Sequence, residues 1–217
     1  MCRRAYGVMR AGGSLAAAYG DYERGVVLAR TASTSGTAID TSGTAVGTSE
    51  VVAGAHRGLG EIARLRGDLA GARRLFELAL EGCAIGPAGT GETRSRALVG
   101  LGRIAEAEGN TDEARYRHHQ ALTVALDHRN HPAAADAIEG AAGLALLEGD
   151  GERAALLLGV AVAVRGTSIA GDTDVARVAT GSQGRIGDGR YAAAFERGAA
   201  MTLPEALALL GTAPSGA

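Results

Sequence analysis

The stretch Gly58–Phe76, GLGEIARLRGDLAGARRLF, decides the fold, because its small residues return at the same offsets elsewhere in the chain. The best copy has Leu59, Gly60, Ala63, Gly67, Ala72, Phe76 and Ala79. The next has Leu101, Gly102, Ala105, Gly109, Ala114, His118 and Ala121, and a third has Ala141, Ala142, Ala145, Gly149, Ala154, Leu158 and Ala161. A weaker upstream copy has Gly12, Gly13, Ala16, Gly20, Gly25, Ala29 and Ala32. The sequence therefore predicts four repeated units.

The spacing within each unit is that of a helical hairpin. Small residues three or four positions apart give one helix face along which a second helix approaches closely. Gly67 and its equivalents suit a left-handed helix end, and Asp68, Asn110 and Asp150 suit the start of the next helix. The pattern predicts helices over 5–18, 21–32, 50–66, 69–82, 93–108, 111–128, 132–148 and 151–165.

The composition agrees with closely packed helices. Of 217 residues, 34 are Gly, none is Trp and only 3% are aromatic, whereas sheet sandwiches and barrels favour aromatic and β-branched residues. The overall hydrophobic fraction of 46% still allows a core. We therefore expect an all-α fold.

The segments outside the three best units have their own predicted roles. Residues 1–32 are expected to form a first, degenerate hairpin, and 50–165 three hairpins. Residues 33–49 duplicate Thr34–Ala38 as Thr41–Ala45, which predicts an exposed Ser/Thr/Gly linker, either inert or phosphorylated. Residues 166–217 are expected to form a helical cap and tail, with helices over 172–182, 189–200 and 203–211. Thr202 and Glu205 have capping-box spacing at the last helix.

The repeated offsets resemble the tetratricopeptide repeat, a helix-turn-helix unit with a Leu-Gly pair, an Ala, an aromatic residue and another Ala. Residues 55–80 match this pattern best. The early Trp of the repeat is missing, His118 replaces an aromatic residue, and the units are 47, 42 and 40 residues apart instead of ~34. The resemblance implies a right-handed α-solenoid closed by a C-terminal helical cap.

A narrower resemblance is to the C-terminal repeat arm of actinobacterial LuxR-type and SARP-type transcriptional regulators, which contain a signalling ATPase module. Gly58–Phe76, Arg153–Ala161 and Arg190–Leu210 carry it, although Phe195 stands where that family usually has Trp. The resemblance implies a non-catalytic scaffold or sensor arm that binds a protein or peptide. Two alternatives stay open: a truncated remnant without independent function, and an enzyme with a cryptic site in the concave groove.

Several functional classes are disfavoured by the residue types present. All 22 basic residues are Arg, so a Walker-A P-loop and a Schiff-base lysine are excluded. The net charge of −2 gives no attraction for nucleic acid or a membrane surface. The two cysteines, Cys2 and Cys83, fit a reducing compartment, and no apolar run is long enough to span a membrane. We expect a cytoplasmic protein, and association with further copies of itself is left open.

No cofactor, metal or catalytic residue is predicted. Gly58-x-Gly60-x-x-Ala63 matches a dinucleotide fingerprint, but no strand precedes it, which favours helix packing. His128 and His131 have a metal-ligand offset but lie at a predicted helix end, and His118 is expected to pack between hairpins. Cys83 is expected near a helix end, where it serves as a small apolar residue and no histidine is expected to pair with it.

The first helix of each hairpin is expected to line a concave groove with charged side chains. The candidate partner-binding residues are Arg57, Glu61, Arg64, Arg96, Arg103, Glu106, Asp136 and Glu139. An Arg-rich centre of this kind can bind an acidic peptide or helix through bidentate arginine–carboxylate contacts. The alternative is a solvated face with local ion pairs such as Arg57–Glu61.

Overall fold

The computed structural model describes residues 48–85, 90–167 and 172–210, together with the single residues 20, 24 and 27. The helices in these ranges are α1 Thr48–Leu65, α2 Leu69–Ile85, α3 Gly91–Ala107, α4 Thr111–Asp127, α5 His131–Leu147, α6 Gly151–Arg165, α7 Thr173–Ile186, α8 Asp188–Ala199 and α9 Leu203–Leu209. Sequential helices pack pairwise as α1–α2, α3–α4 and α5–α6 hairpins, and neighbouring hairpins pack on one another. The predicted all-α helical-hairpin array is confirmed.

The observed helix ends correct several predicted bounds. The predicted hairpin over 5–18 and 21–32 and most of the predicted linker over 33–49 lie outside the described residues. The helix predicted over 50–66 begins two residues earlier, at Thr48, and ends at Leu65. α2 continues to Ile85 and not 82. The cap helix predicted over 172–182 ends at Ile186, because its first glycine in a left-handed conformation is Gly187, with φ of 81°.

The hairpin turns use the same backbone chemistry in every unit. Gly67, Gly109 and Gly149 have φ values of 83°, 75° and 92°, as the sequence predicts for left-handed helix ends. The N–H of the following residue bonds back to the first helix, as in Asn110 N to Ala105 O at 2.9 Å. The turn between α4 and α5 places Arg129 in this conformation, with φ of 51°.

Large side chains of the second helices fill the space between hairpins where glycines leave room. A Cβ atom on Gly60 would lie 3.0 Å from the Phe76 ring, and one on Gly100 would lie 2.3 Å from it. His118 occupies the equivalent slot between Gly102 and Gly140, where added Cβ atoms would lie 2.4 and 2.3 Å from its ring. The glycines of the fingerprint-like motif therefore serve close helix packing.

In the described part of the chain, three helices follow the last hairpin, and the first two of them, α7 and α8, contact different parts of the array. α8 crosses α6 at Gly159 and Gly198: a Cβ atom on Gly159 would lie 2.0 Å from the Phe195 carbonyl oxygen. α7 instead crosses the C-terminal ends of the first helices. Its Gly181 lies against Leu146 of α5, and its N-terminus reaches Arg64 of α1. The path of α7 brings its acidic start to the candidate site.

Candidate functional site

The first helices α1, α3 and α5 form one charged surface, here called the groove. A cavity of about 40 Å³ lies in it, which is room for two or three waters. Five of the eight predicted residues line this cavity: Arg57, Glu61, Arg96, Arg103 and Asp136. Its remaining wall includes Asp172, Thr173 and Asp174 at the start of α7. Part of the groove is thus covered by the chain's own cap helix.

Arg64, in the last turn of α1, holds two carboxylates at once. Its Nη1 and Nη2 atoms lie 3.4 and 2.6 Å from Oδ1 and Oδ2 of Asp174. Its Nε and Nη2 atoms donate to Oε2 and Oε1 of Glu61 at 3.0 and 2.7 Å. Because a guanidinium is planar, this fork fixes the orientation of both acids. The contact with Asp174 is the bidentate geometry expected for an acidic ligand, supplied here from 110 residues away in the same chain.

Arg103, on α3, faces the same carboxylates from the other side. Its Nη1 lies 3.1 Å from Oδ2 of Asp174 and 3.7 Å from Oε1 of Glu61. Its side chain is only 9% exposed, and its buried Nη2 has no hydrogen-bond partner. We call Arg57, Arg64 and Arg103 the arginine cluster. Glu61 of α1, Asp136 of α5 and Asp172 and Asp174 at the start of α7 line the cavity beside Arg57 and Arg103.

The electrostatics of this cluster favour charged carboxylates. Burial alone would raise the pKa of Asp174, but the charges of Arg103 and Arg64 outweigh burial and lower that pKa to about 2. Burial likewise opposes ionisation of Glu61, whose pKa is lowered by Arg64 and then Arg103. Burial also disfavours the charge on Arg103, yet Asp174 and Glu61 raise its pKa well above the usual value. Each charge therefore depends on its neighbours.

A second set of predicted residues is neutralised within the hairpins. Asp136 and Glu139 of α5, here called the acidic pair, are both buried. Arg165, at the end of α6, donates to Asp136 Oδ1 at 2.9 Å and to Glu139 Oε1 at 2.6 Å. Arg96 of α3 donates to Asp136 Oδ2 at 2.8 Å and also pairs with Glu92. This set uses arginines of α3 and α6 and does not need α7.

Glu106 is directed between hairpins and not into open solvent. Its Oε1 lies 2.7 Å from Nε2 of His118, which packs between hairpins as the sequence predicts. Its Oε2 lies 3.5 Å from Nη2 of Arg177 on α7. Glu106 thus links the buried imidazole to the cap helix, and its carboxylate has partners on both sides.

Sequence reasoning missed the residues that complete both clusters, namely Arg165, Asp172 and Asp174. The hairpin pattern indicates which helices line the groove but gives no information on what crosses it. One signal was present: Asp172-Thr173-Asp174 opens a predicted helix with two acids, and Asp172 caps α7 by accepting from the N–H groups of Asp174 and Val175 at 2.9 and 3.1 Å. Acidic residues are favoured in the first turn of a helix, and from there their carboxylates can pair with arginines of another element.

The site is suited to binding carboxylates and lacks the features of a site for covalent chemistry. A cavity for two or three waters is smaller than the pockets that enclose substrates. Within the described ranges, no group of three metal-ligating side chains comes together. Cys83 is buried near the end of α2, and burial raises the pKa of its thiol, which keeps it protonated and unreactive.

The repeat offsets, the glycine-ended hairpins and the packing of Phe76 between them agree with one comparison. Residues 51–127 match the tetratricopeptide repeat. The matched stretch runs from α1 to the end of α4, so it includes the whole arginine cluster, while the acidic pair and the cap helices lie beyond the match. No curated protein and no solved structure gives a significant match to the chain. Among the helices of the described residues, none combines the length and the apolar character needed to cross a bilayer.

Proposed function

We propose that this chain is a non-catalytic protein-binding arm that holds an acidic segment of a partner in the groove. Tetratricopeptide repeats suggest a protein-interaction or scaffold role. The positively charged Arg64 and Arg103 of the cluster lie on the matched stretch and bind Asp174, which lies outside it. An acidic peptide is the ligand that this charge favours.

The observation that carries the proposal is the fork of Arg64 on Asp174. The carboxylate comes from a separate helix, and both of its oxygens are engaged by one guanidinium. A carboxylate presented by another protein needs the same donors in the same arrangement. The arrangement of these donors around Asp174 supports binding of such a carboxylate.

The arm belongs, in this proposal, to a bacterial regulator of the LuxR or SARP type or to a related signalling ATPase in the cytoplasm. The resemblance of Gly58–Phe76, Arg153–Ala161 and Arg190–Leu210 to the repeat arm of those regulators supports this context. Since the 217 residues contain no lysine, the P-loop of such an ATPase would lie outside them. The partner segment would then report a signal to that module.

Peptide binding with a matched neutral control tests the interaction. A labelled peptide rich in Asp and Glu, carrying a photo-crosslinking residue, is titrated against the full chain beside a twin in which every acid is the corresponding amide. We expect the acidic peptide to bind at least tenfold more tightly, since charge-assisted contacts to arginine are replaced by neutral ones. Crosslinks should map to α1, α3 and α5. Equal affinities, or crosslinks confined to α2 and α4, contradict the proposal.

An ATP hydrolysis assay tests the non-catalytic part of the proposal. The purified chain alone should hydrolyse ATP no faster than a buffer blank. Addition of the chain to the ATPase module of the same cell should change the rate of that module. Hydrolysis by the chain alone would favour the enzyme alternative over the binding arm.

A further inference from the structure

The start of α7 occupies the arginine cluster as a ligand would. Asp174 lies between Arg64 and Arg103, and Asp172 lines the same cavity two residues earlier. Both carboxylates are carried by the first turn of one helix, with Asp172 as its N-cap. Together they define a motif of two acidic residues at positions i and i+2, where position i is the N-cap of a helix.

The fit of α7 to the cluster is incomplete. Nη2 of Arg103 is buried beside Asp174 and has no hydrogen-bond partner, although a guanidinium nitrogen is a strong donor. On α7 itself, the hydroxyl of Ser182 is fully buried and also has no partner. Buried polar groups without partners weaken an interface. The bound position of α7 therefore leaves room for a ligand that satisfies the cluster better.

The apolar attachment of α7 is small. Of its fourteen residues, only Val178 and Ser182 are fully buried. Val175 and Ala179 are partly buried against the core, and Gly181 lies against Leu146. The C-terminal end of α7 also packs on Gly151 of α6. The ion pairs of Asp174 add to this limited apolar contact, and removing one partner of such a buried pair is strongly destabilising.

We propose that α7 is an intramolecular ligand of the arginine cluster, and that a partner displaces it by presenting two carboxylates at positions i and i+2 of its own helix start. This inference rests on the proposed function, because both use the same groove. It adds the identity of the competing ligand and the motif that the partner carries. In the free chain the site is closed by α7, and partner binding releases that helix.

Competition between the cis and trans ligands tests the exchange. The probe is a fluorescein-labelled peptide with the sequence of residues 172–186, and its twin has both aspartates replaced by asparagine. Its binding is measured by fluorescence polarisation to the full chain, to the full-chain Asp174→Asn variant and to the Asp188→Asn variant. Asp188 is an exposed acid in the first turn of α8, so its variant is a matched control.

The Asp174→Asn chain should bind the acidic probe at least tenfold more tightly than the unchanged chain, because the internal competitor is weakened while Arg64 and Arg103 are intact. The Asp188→Asn chain should bind like the unchanged one, and the amide twin should bind at least tenfold more weakly to every chain. Equal affinity of the Asp174→Asn and unchanged chains for the acidic probe overturns the exchange but leaves the acidic groove standing. No binding by any chain overturns both proposals.

Hydrogen exchange on the unchanged chain gives a second test that does not depend on a variant folding. With saturating probe, the amides of α7 should lose protection while those of α3 and α8 keep theirs. Binding of the probe with α7 still protected overturns the displacement.

Discussion

α7 and α8 are consecutive helices of similar length, yet they are attached to the hairpins by different kinds of contact. α8 meets α6 through glycines, with backbone against backbone, and its Tyr191 and Phe195 side chains pack against the core. α7 and α8 each have two buried residues, but α7 adds the largely buried ion pairs of Asp174 with Arg64 and Arg103. The two helices thus represent attachment by packing and attachment by charge.

The ion pairs of the two helices also differ in their surroundings. Glu152 of α6 receives hydrogen bonds from Arg190 and Arg197 of α8 at 2.8 Å, but all three side chains are well exposed, where water screens their attraction. Asp174 and Arg64 are only 16% and 10% exposed. Close backbone packing requires one complementary surface. An ion pair is less specific, because a second carboxylate can compete for the same arginines. This difference singles out α7 as the helix that can be exchanged.

The largest difference in stability is expected between two glycine-to-alanine substitutions, one in α8 and one in α7. At Gly198 of α8, a Cβ atom would lie 2.1 Å from the Leu156 carbonyl oxygen and 2.8 Å from the Val160 nitrogen. Gly198→Ala should lower the free energy of unfolding by about 3 kcal/mol, because two backbones must separate. At Gly184 of α7 nothing lies within 4 Å of such an atom. Gly184→Ala should raise stability by up to about 1 kcal/mol through helix propensity. Urea denaturation of both variants measures the contrast, and equal effects would mean that α8 does not pack through its backbone.

Removing one charge from each ion pair should affect only α7. Asp174→Asn should destabilise the attachment of α7 by about 2 kcal/mol, the value that corresponds to lowering the pKa of this carboxyl from 3.8 to about 2. The amides of α7 should then exchange about 30-fold faster. Glu152→Gln is the matched change on the exposed pair. If it accelerates exchange in α8 as strongly, the distinction between charge and packing is wrong.

Acid should detach α7 before α8. The folded pKa of Asp174, about 2, lies below its ordinary value of 3.8, so its contribution is fully present above about pH 4 and is lost as the pH falls towards 2. The lowered pKa of Glu61 acts in the same direction. A pH series of hydrogen exchange should show loss of protection in α7 within this window, and the Asp174→Asn variant should lose most of the dependence. Simultaneous loss in α7 and α8 would contradict the account.

The smallest change in stability is expected at Arg129, in the turn between α4 and α5, which serves as a control away from α7 and α8. Arg129 takes the left-handed turn conformation that glycine takes at Gly109 and Gly149. Arg129→Gly relieves a strained φ and should raise stability by about 0.5 kcal/mol after the greater flexibility of glycine in the unfolded chain is counted. Thermal unfolding should report this gain, with exchange in α7 and α8 unchanged. A loss of stability would mean that the exposed arginine side chain contributes in the turn.

The hairpins were predictable because they follow from local spacing. The offsets from Leu59 to Ala79 fix which helix faces are smooth, and Gly67, Gly109 and Gly149 fix where the first helices end. These signals are contained within about 20 residues, so they can be read without knowing the tertiary structure.

The completion of the site was not predictable in the same way. Arg64 was assigned to the groove from its helix position, but its partner Asp174 is 110 residues away on a helix that the repeat pattern does not describe. The sequence pattern assigns the groove to the first helix of each hairpin. Arg165 lies at the end of a second helix, α6, yet it neutralises the acidic pair. Charge complementarity between distant elements depends on how the chain returns after the last repeat, and that path leaves no periodic signal.

The attachment of α7 through its carboxylate is tested most directly by the pKa of Asp174 in the full chain, measured by carbon-detected NMR of its side-chain carboxyl during an acid titration. The account predicts a pKa of about 2, because Arg103 and Arg64 stabilise the ionised form. A value at or above the ordinary 3.8 would show that the carboxylate is not held by the arginine cluster, and would contradict the account.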